Sequence, residues 1–255
     1  MNARVLCLLT ATALCPAFSQ AATVSTAFGS GADIELREHS NDVSDGTSMN
    51  TRTSNGGDRN EIIGLAFDLS GYTLAELTDI SLNLYSFRQD GSTRVVDLYG
   101  VAQGTVSGSG LFTTETWTEG ISTFGDMPGL LVTDMDNLTQ SINMGAVTHL
   151  GQFTIASGQP EGSVQTFSSD ELDAFIQAYT GSSRVTFLLA AGNTSTGQFR
   201  VASREATETA TGVLSGAEGD FAPYLSFAVI PEPSVFAMAG LGFLSMVFAR
   251  RQRRG

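Results

Sequence analysis

Carboxylates dominate the chemistry available to this 255-residue chain: 26 Asp and Glu stand against 13 basic residues, with 2 His and 2 Cys. Several acids are grouped with amides in polar stretches. Asn41, Asp42 and Asp45 follow one apolar segment, Asn55, Asp58 and Asn60 precede the next, and Asp134 and Asp136 stand in a third run. A hard cation such as calcium takes roughly six to eight oxygen ligands, which Asp, Asn and loop carbonyls supply. Asn41, Asp42, Asp45, Asn55 and Asp58 are therefore candidate calcium ligands. No EF-hand or nonapeptide repeat organises them, and the alternative is a solvated acidic surface that keeps the protein soluble.

Catalytic constellations are harder to find. His39 and His149 lie far apart, and there is no Lys in the chain. Two His without a nearby Cys do not make a zinc site, and no G-x-S-x-G sequence marks an activated serine. The many acids offer carboxylate pairs of the glycosidase kind, but the sequence singles out none, so no catalytic residue is assigned. An acidic chain whose basic residues are so few also argues against nucleic acid as a partner, because phosphate contacts need clustered cations.

Aromatic residues suggest a binding role instead. Tyr85 and Phe87 share one strand face, and Tyr99 and the lone Trp117 join them as candidate glycan-binding residues. Core packing is the competing reading for each, and for Trp117 the preferred one. Arg204 and Glu205 are adjacent, and with Glu119 they are expected to form a structural ion-pair network that fixes the fold more than it stabilises it.

Both ends read as addresses. Residues 1–21 carry a lone Arg4, an apolar run from Val5 to Leu14, and small residues near Ala21. This is the pattern of a secretory signal peptide, with cleavage by signal peptidase expected after Ala21 or Ala22. Cys7 and Cys15 fall inside it, so the mature protein is expected to be free of thiols and disulfides. At the other end Pro231, Glu232 and Pro233 precede an apolar stretch from Ser234 to Ala249, and Arg250, Arg251, Arg253 and Arg254 follow. The apolar stretch is expected to span the membrane with the Arg cluster on the cytoplasmic side. This order resembles the PEP-CTERM sorting signal. The resemblance implies a Gram-negative bacterium whose exosortase recognises the signal, processes the chain and delivers it to the cell surface or extracellular matrix. A permanent membrane anchor is the alternative.

Residues 22–230 then form the expected domain, with 8 Arg against 25 acids and a formal charge of −17. Period-two alternation predicts strands at 32–37, 62–69, 80–85, 95–101, 147–155, 184–191, 198–203 and 223–229. Gly-rich connectors between short strands point to an all-β, jelly-roll-like β-sandwich. One covering helix is expected after Ser168, with Glu171 completing a capping box. Leu172, Phe175, Ile176 and Tyr179 make its apolar face, and Gly181 ends it.

A second resemblance runs over most of residues 32–229. The phrases Phe67-Asp68-Leu69-Ser70, Leu82-Asn83-Leu84-Tyr85, Trp117-Thr118-Glu119-Gly120-Ile121, Ser203-Arg204-Glu205 and Pro223-Tyr224-Leu225 occur in the order found in the DNRLRE family of secreted β-sandwich modules. That family is related to carbohydrate-binding modules. Phe124 stands where the family usually has a second Trp, and residues 129–146 look like an insertion. The expectation is a secreted, non-catalytic matrix protein that binds extracellular polysaccharide. A structural envelope or biofilm protein without glycan affinity is the alternative, with a two-carboxylate polysaccharide-active enzyme behind it.

Overall fold

The structure is a computed structural model that describes residues 19–37, 46–52, 60–88, 91–131, 141–192 and 198–230. The described residues contain eleven strands and one α-helix. A four-stranded sheet has the order β1-β11-β5-β8, from β1 (Gln20–Ser25), β11 (Tyr224–Val229), β5 (Leu77–Tyr85) and β8 (Val164–Phe167). A five-stranded sheet has the order β2-β4-β9-β6-β7, from β2 (Ala32–Arg37), β4 (Glu61–Asp68), β9 (Arg184–Ala191), β6 (Arg94–Val101) and β7 (Val147–Ile155). A two-stranded sheet pairs β3 (Ser48–Thr51) with β10 (Phe199–Ala202).

The main core joins the two larger sheets. Ile63, Leu65 and Phe67 of β4, with Val185, Phe187 and Leu189 of β9, meet Leu82 and Leu84 of β5 and Leu225 and Phe227 of β11. Burying each such side chain is worth about 1.5–3 kcal/mol before the entropy of ordering is counted. The opposite face of the five-stranded sheet is covered as well. Ile34, Ala66, Leu188 and Ala190 on that face pack under Trp117, Phe124, Met127, Leu130 and Ile142, which belong to the long excursion between β6 and β7. A sheet buried on both faces needs apolar residues at successive positions, which is why Arg184–Ala191 is buried at all eight. Phe124 is part of this layer. Leu130 and Ile142 form a bridge, so the ends of the 129–146 segment are anchored in the core, while residues 132–140 lie outside the described residues.

The helix α1 (Asp170–Gln177) closes one end of the sandwich with Leu172 and Ile176 buried. Gly100 permits this approach, because a Cβ there would collide with the Phe175 ring. The cap is not the expected one. Ser169 takes that place: its Oγ accepts from Leu172 N at 3.0 Å and donates to Leu150 O at 2.7 Å. Ser168 is exposed one residue outside, so the Ser168–Glu171 capping box does not form.

The other predicted strands lie within three residues of their expected ends, but β1, β3 and β8 were not anticipated. Each is short and buries few apolar side chains, so no periodicity marks it. Ala21 and Ala22, expected at the signal cleavage point, lie in β1; a cut after either leaves Val24, its buried residue, in the sheet. Residues Ala21–Val229 form one compact unit. Among the described residues no helix is long and apolar enough to cross a membrane. The apolar segment 234–249, the Pro231-Glu232-Pro233 motif and the terminal Arg cluster lie outside those residues.

Two serines distinguish the observed cap from the expected one. Ser169→Ala should cost about 1–2 kcal/mol, and Ser168→Ala should change stability by less than about 0.5 kcal/mol. Denaturant unfolding of the two variants, followed by the single Trp, checks this.

Candidate functional site

Alternation in Ala32–Arg37 puts Asp33, Glu35 and Arg37 on one face of β2. The sequence suggests that this face meets solvent, yet Asp33 and Glu35 are each 1% exposed. The face is polar and covered. β2 is the edge of its sheet, and β3 together with the chain after β10 closes over it.

Around Asp33 four chain segments converge. Thr26 Oγ1 donates to Asp33 Oδ2 at 2.6 Å, and Arg204 N donates to the same oxygen at 3.1 Å. Asp33 N, on the free edge of β2, donates to Glu119 Oε2 at 3.4 Å. Arg204 Nε stands 2.9 Å from Glu119 Oε2 and 2.7 Å from Glu205 Oε1, and Arg204 Nη1 donates to Gly31 O at 3.1 Å. Arg204, Glu205 and Glu119, expected to associate, are thus brought together. Asp33 completes the group and was missed. The signal for it was available: three ionisable residues alternate on one strand of a domain with few cations to match its acids.

Three carboxylates share one guanidinium here, so full ionisation would leave two uncompensated buried charges. Protons relieve that. Burial is the largest cause raising the Asp33 carboxyl, helped by Glu205 and opposed by the Thr26 and Arg204 hydrogen bonds, and its pKa reaches about 7. Burial also dominates at Glu119, with Asp33 and Glu205 adding to it, and its pKa reaches about 8. Glu205 Oε2 is buried and accepts no hydrogen bond from any described donor. A side-chain hydrogen bond between Glu119 and Glu205 requires a proton on the carboxyl pair, and it helps raise Glu119. Oxygens of the three carboxylates lie within 4.8 Å of one another, a spacing a cation could bridge. The Arg204 guanidinium already takes that role for Glu119 and Glu205.

A second polar knot lies further along β2. Asn50 N and Nδ2 donate to Glu35 Oε2 at 2.7 and 2.6 Å, and Arg37 Nε meets Glu35 Oε1 at 2.7 Å. Arg52 Nε pairs with Glu61 at 3.1 Å, and Arg200 Nε donates to Asn50 Oδ1 at 2.6 Å. Here the cations outnumber the carboxylates, so this knot is internally compensated.

Trp117 is 1% exposed. Its Nε1 donates to Thr186 Oγ1 at 2.9 Å, and the Arg184 guanidinium covers the ring 4.7 Å from its centroid. Arg184 in turn donates to Ser30 O, Thr114 O and Trp117 O. No face of this indole is open for a sugar, so the residue serves the core. Tyr99 is 8% exposed, with its ring 5.1 Å from that of His149. Tyr85 and Phe87 are half-buried and pack in a small cluster with Phe221. The four aromatic candidates do not form one platform. His149 pairs with Asp97 at 3.2 Å on the surface, and His39 lies outside the described residues. So do Asn41, Asp42, Asp45, Asn55, Asp58, Asp134 and Asp136.

A cleft of about 310 Å³ opens beside the first knot, lined by Glu115, Trp117, Glu119, Arg184 and Arg204. A sugar cleaved between two carboxylates must place its anomeric carbon in the gap between them. Arg204 fills the gap between Glu119 and Glu205. The contacts of this group join the turn before β2, the Trp117 loop and the chain after β10.

The PEP-CTERM protein-sorting motif matches residues 229–254. This implies recognition by an exosortase and export to the cell surface in a Gram-negative bacterium. No curated protein matches the chain.

The raised Asp33 and Glu119 carboxyls give pH a definite sign. The folded state holds their protons more tightly than the unfolded chain, so the stability they contribute is complete below about pH 4, the unfolded carboxyl range. It is lost as pH rises through about 7 to 8, where the folded groups ionise. Glu119→Gln keeps a donor toward Glu205 and removes one titration. The variant should show a flatter fall in unfolding free energy between pH 5 and 8, measured by denaturant titration at stepped pH. An unchanged slope would contradict the shared proton.

Proposed function

We propose that the chain is a non-catalytic protein of the extracellular polysaccharide matrix, delivered to the surface by its sorting signal and holding glycan through a jelly-roll-like β-sandwich. The observation that carries this reading is the sorting motif at residues 229–254, which directs the domain to where polysaccharide is the surrounding material. The resemblance of residues 32–229 to DNRLRE modules supports a sandwich used for binding. The formal charge of −17 over residues 22–230 disfavours polyanionic partners. Calcium belongs to the proposal through Asn41, Asp42, Asp45, Asn55 and Asp58, as an ion that binding depends on.

Signal peptidase and exosortase are the partners in export, and the C-terminal segment holds the chain in the membrane until processing. The enzyme reading has one observation in its favour, the convergence of Asp33, Glu119 and Glu205 beside a cleft. The Arg204 guanidinium between two of them argues against it. Incubation with matrix polysaccharides should release no new reducing ends. Release that disappears in Glu119→Gln would establish the enzyme.

Binding of the full chain to immobilised bacterial and algal polysaccharides, with calcium and then with a chelator, tests the main reading. Retention on one glycan class, lost in chelator, is the expected outcome. Absence of retention in both conditions would leave a structural matrix protein.

A further inference from the structure

A concavity separate from the Asp33 and Glu35 carboxylates lies among the described residues where β1, the turn after it and the start of β11 meet. It has a volume of about 660 Å³ and is lined by Phe28, Tyr72 and Tyr224, with Thr23, Ser25 and Asp220 at its polar edge. That volume is in the range of roughly 300–1,000 Å³ typical of ligand clefts. Phe28 is 55% exposed, so its ring is open to the groove.

The ring is held in place by a rigid turn. Phe28 N donates to Ser25 O at 3.1 Å, and Gly31 N donates to Phe28 O at 2.9 Å. Gly29 adopts φ +59° directly after it, and a Cβ there would strike the Asp68 carboxylate. That carboxylate joins two walls of the groove. Its Oδ2 accepts from Ser30 N at 2.9 Å and Ser30 Oγ at 3.0 Å, and its Oδ1 accepts from Ser70 N at 3.0 Å. Ser30 belongs to the turn that carries Phe28, and Ser70 to the loop that carries Tyr72. Partial burial would raise the Asp68 carboxyl, but the Ser30 and Ser70 hydrogen bonds outweigh it and bring the pKa to about 2.

Tyr72 is fixed separately by edge-to-face packing on Phe227 at 4.9 Å. The third wall is tied to the acidic knot, since Gly219 N donates to Arg204 O at 2.7 Å. Tyr224 is held in β11 opposite Asn83, with its ring 6.2 Å from that of Tyr85, so the three rings sit on three separately restrained segments. Such preorganisation limits the entropy lost on binding.

The composition of the groove selects its occupant. Aromatic faces take up the C–H faces of a sugar ring, while hydroxyl and carboxylate edges accept and donate to its hydroxyls. No cation lines the groove, and Asp220 adds a negative charge, so a uronic-acid chain would be repelled there. We propose that this groove is the glycan site and that its ligand is an uncharged hexose polysaccharide, with Phe28 and Tyr72 as stacking residues and Asp68 as the positioning residue. This inference rests on the glycan-binding reading given above.

Calorimetric titration of the full chain with neutral gluco- and manno-hexasaccharides, and with an oligoalginate, tests it. The wild type should bind a neutral oligomer, and Phe28→Ala should weaken it on the order of tenfold or more. Phe28→Ala should leave the unfolding midpoint unchanged, because the ring is largely exposed. Leu111→Ala, at a side chain that is 71% exposed elsewhere, should bind as the wild type does. Undiminished binding by Phe28→Ala overturns the groove and leaves the glycan reading intact. Binding of oligoalginate alone overturns the uncharged ligand. Binding of none of the oligomers overturns both readings.

Discussion

A buried carboxylate must find donors or give up its charge, and β2 carries two of them, Asp33 and Glu35, into the interior on one strand face. The rest of the structure follows from satisfying that face. Glu35 is met by Asn50 and Arg37, which docks β3 and, through Arg200, β10. Asp33 is met by Thr26 and Arg204, which draws in the turn before β2 and the chain after β10. Glu119 then fixes the Trp117 loop to the same edge. An edge strand with free N–H groups invites pairing with another chain; here side chains from elsewhere in the fold occupy it.

Residues 22–230 contain no Cys, so no disulfide within them constrains the domain. Its two-sided five-stranded sheet supplies apolar burial, and the polar knots supply uniqueness of arrangement. A complete buried ion pair adds little net stability, whereas removing one partner leaves a costly uncompensated charge. The acidic knot also reaches the groove, because Arg204 O accepts from Gly219 N, and Asp68 separately accepts from Ser30 and Ser70. The walls of the aromatic groove are in this way extensions of the interior hydrogen bonding.

Much of the fold was legible because long strands bury many side chains. β4, β6, β7 and β9 announce themselves by apolar residues at regular spacing, whereas β1, β3 and β8 bury too few to do so. The cap at Ser169 was misplaced by one residue because Ser168 and Ser169 are chemically equivalent, and only the position of the Leu150 carbonyl distinguishes them. The candidate site was less legible. Trp117 carried two readings, glycan-binding residue and core aromatic, and it is 1% exposed in the fold, while Phe28 and Tyr72 carried none. They sit in a turn and a loop, where no period marks them and their proximity depends on a long-range contact through Asp68. Asp33 was seen as the polar half of an alternation, since the sequence does not reveal that a second layer covers it.

The acidic knot holds segments together, and the aromatic groove is the proposed glycan site. Side-chain NMR of the full chain, with the aromatic residues labelled and a neutral hexasaccharide added stepwise, observes both places at once. Shifts are predicted for Phe28, Tyr72 and Tyr224, with the Trp117 indole beside the knot unmoved. Shifts concentrated at Trp117, with the groove rings silent, would contradict the account and place the ligand at the carboxylates.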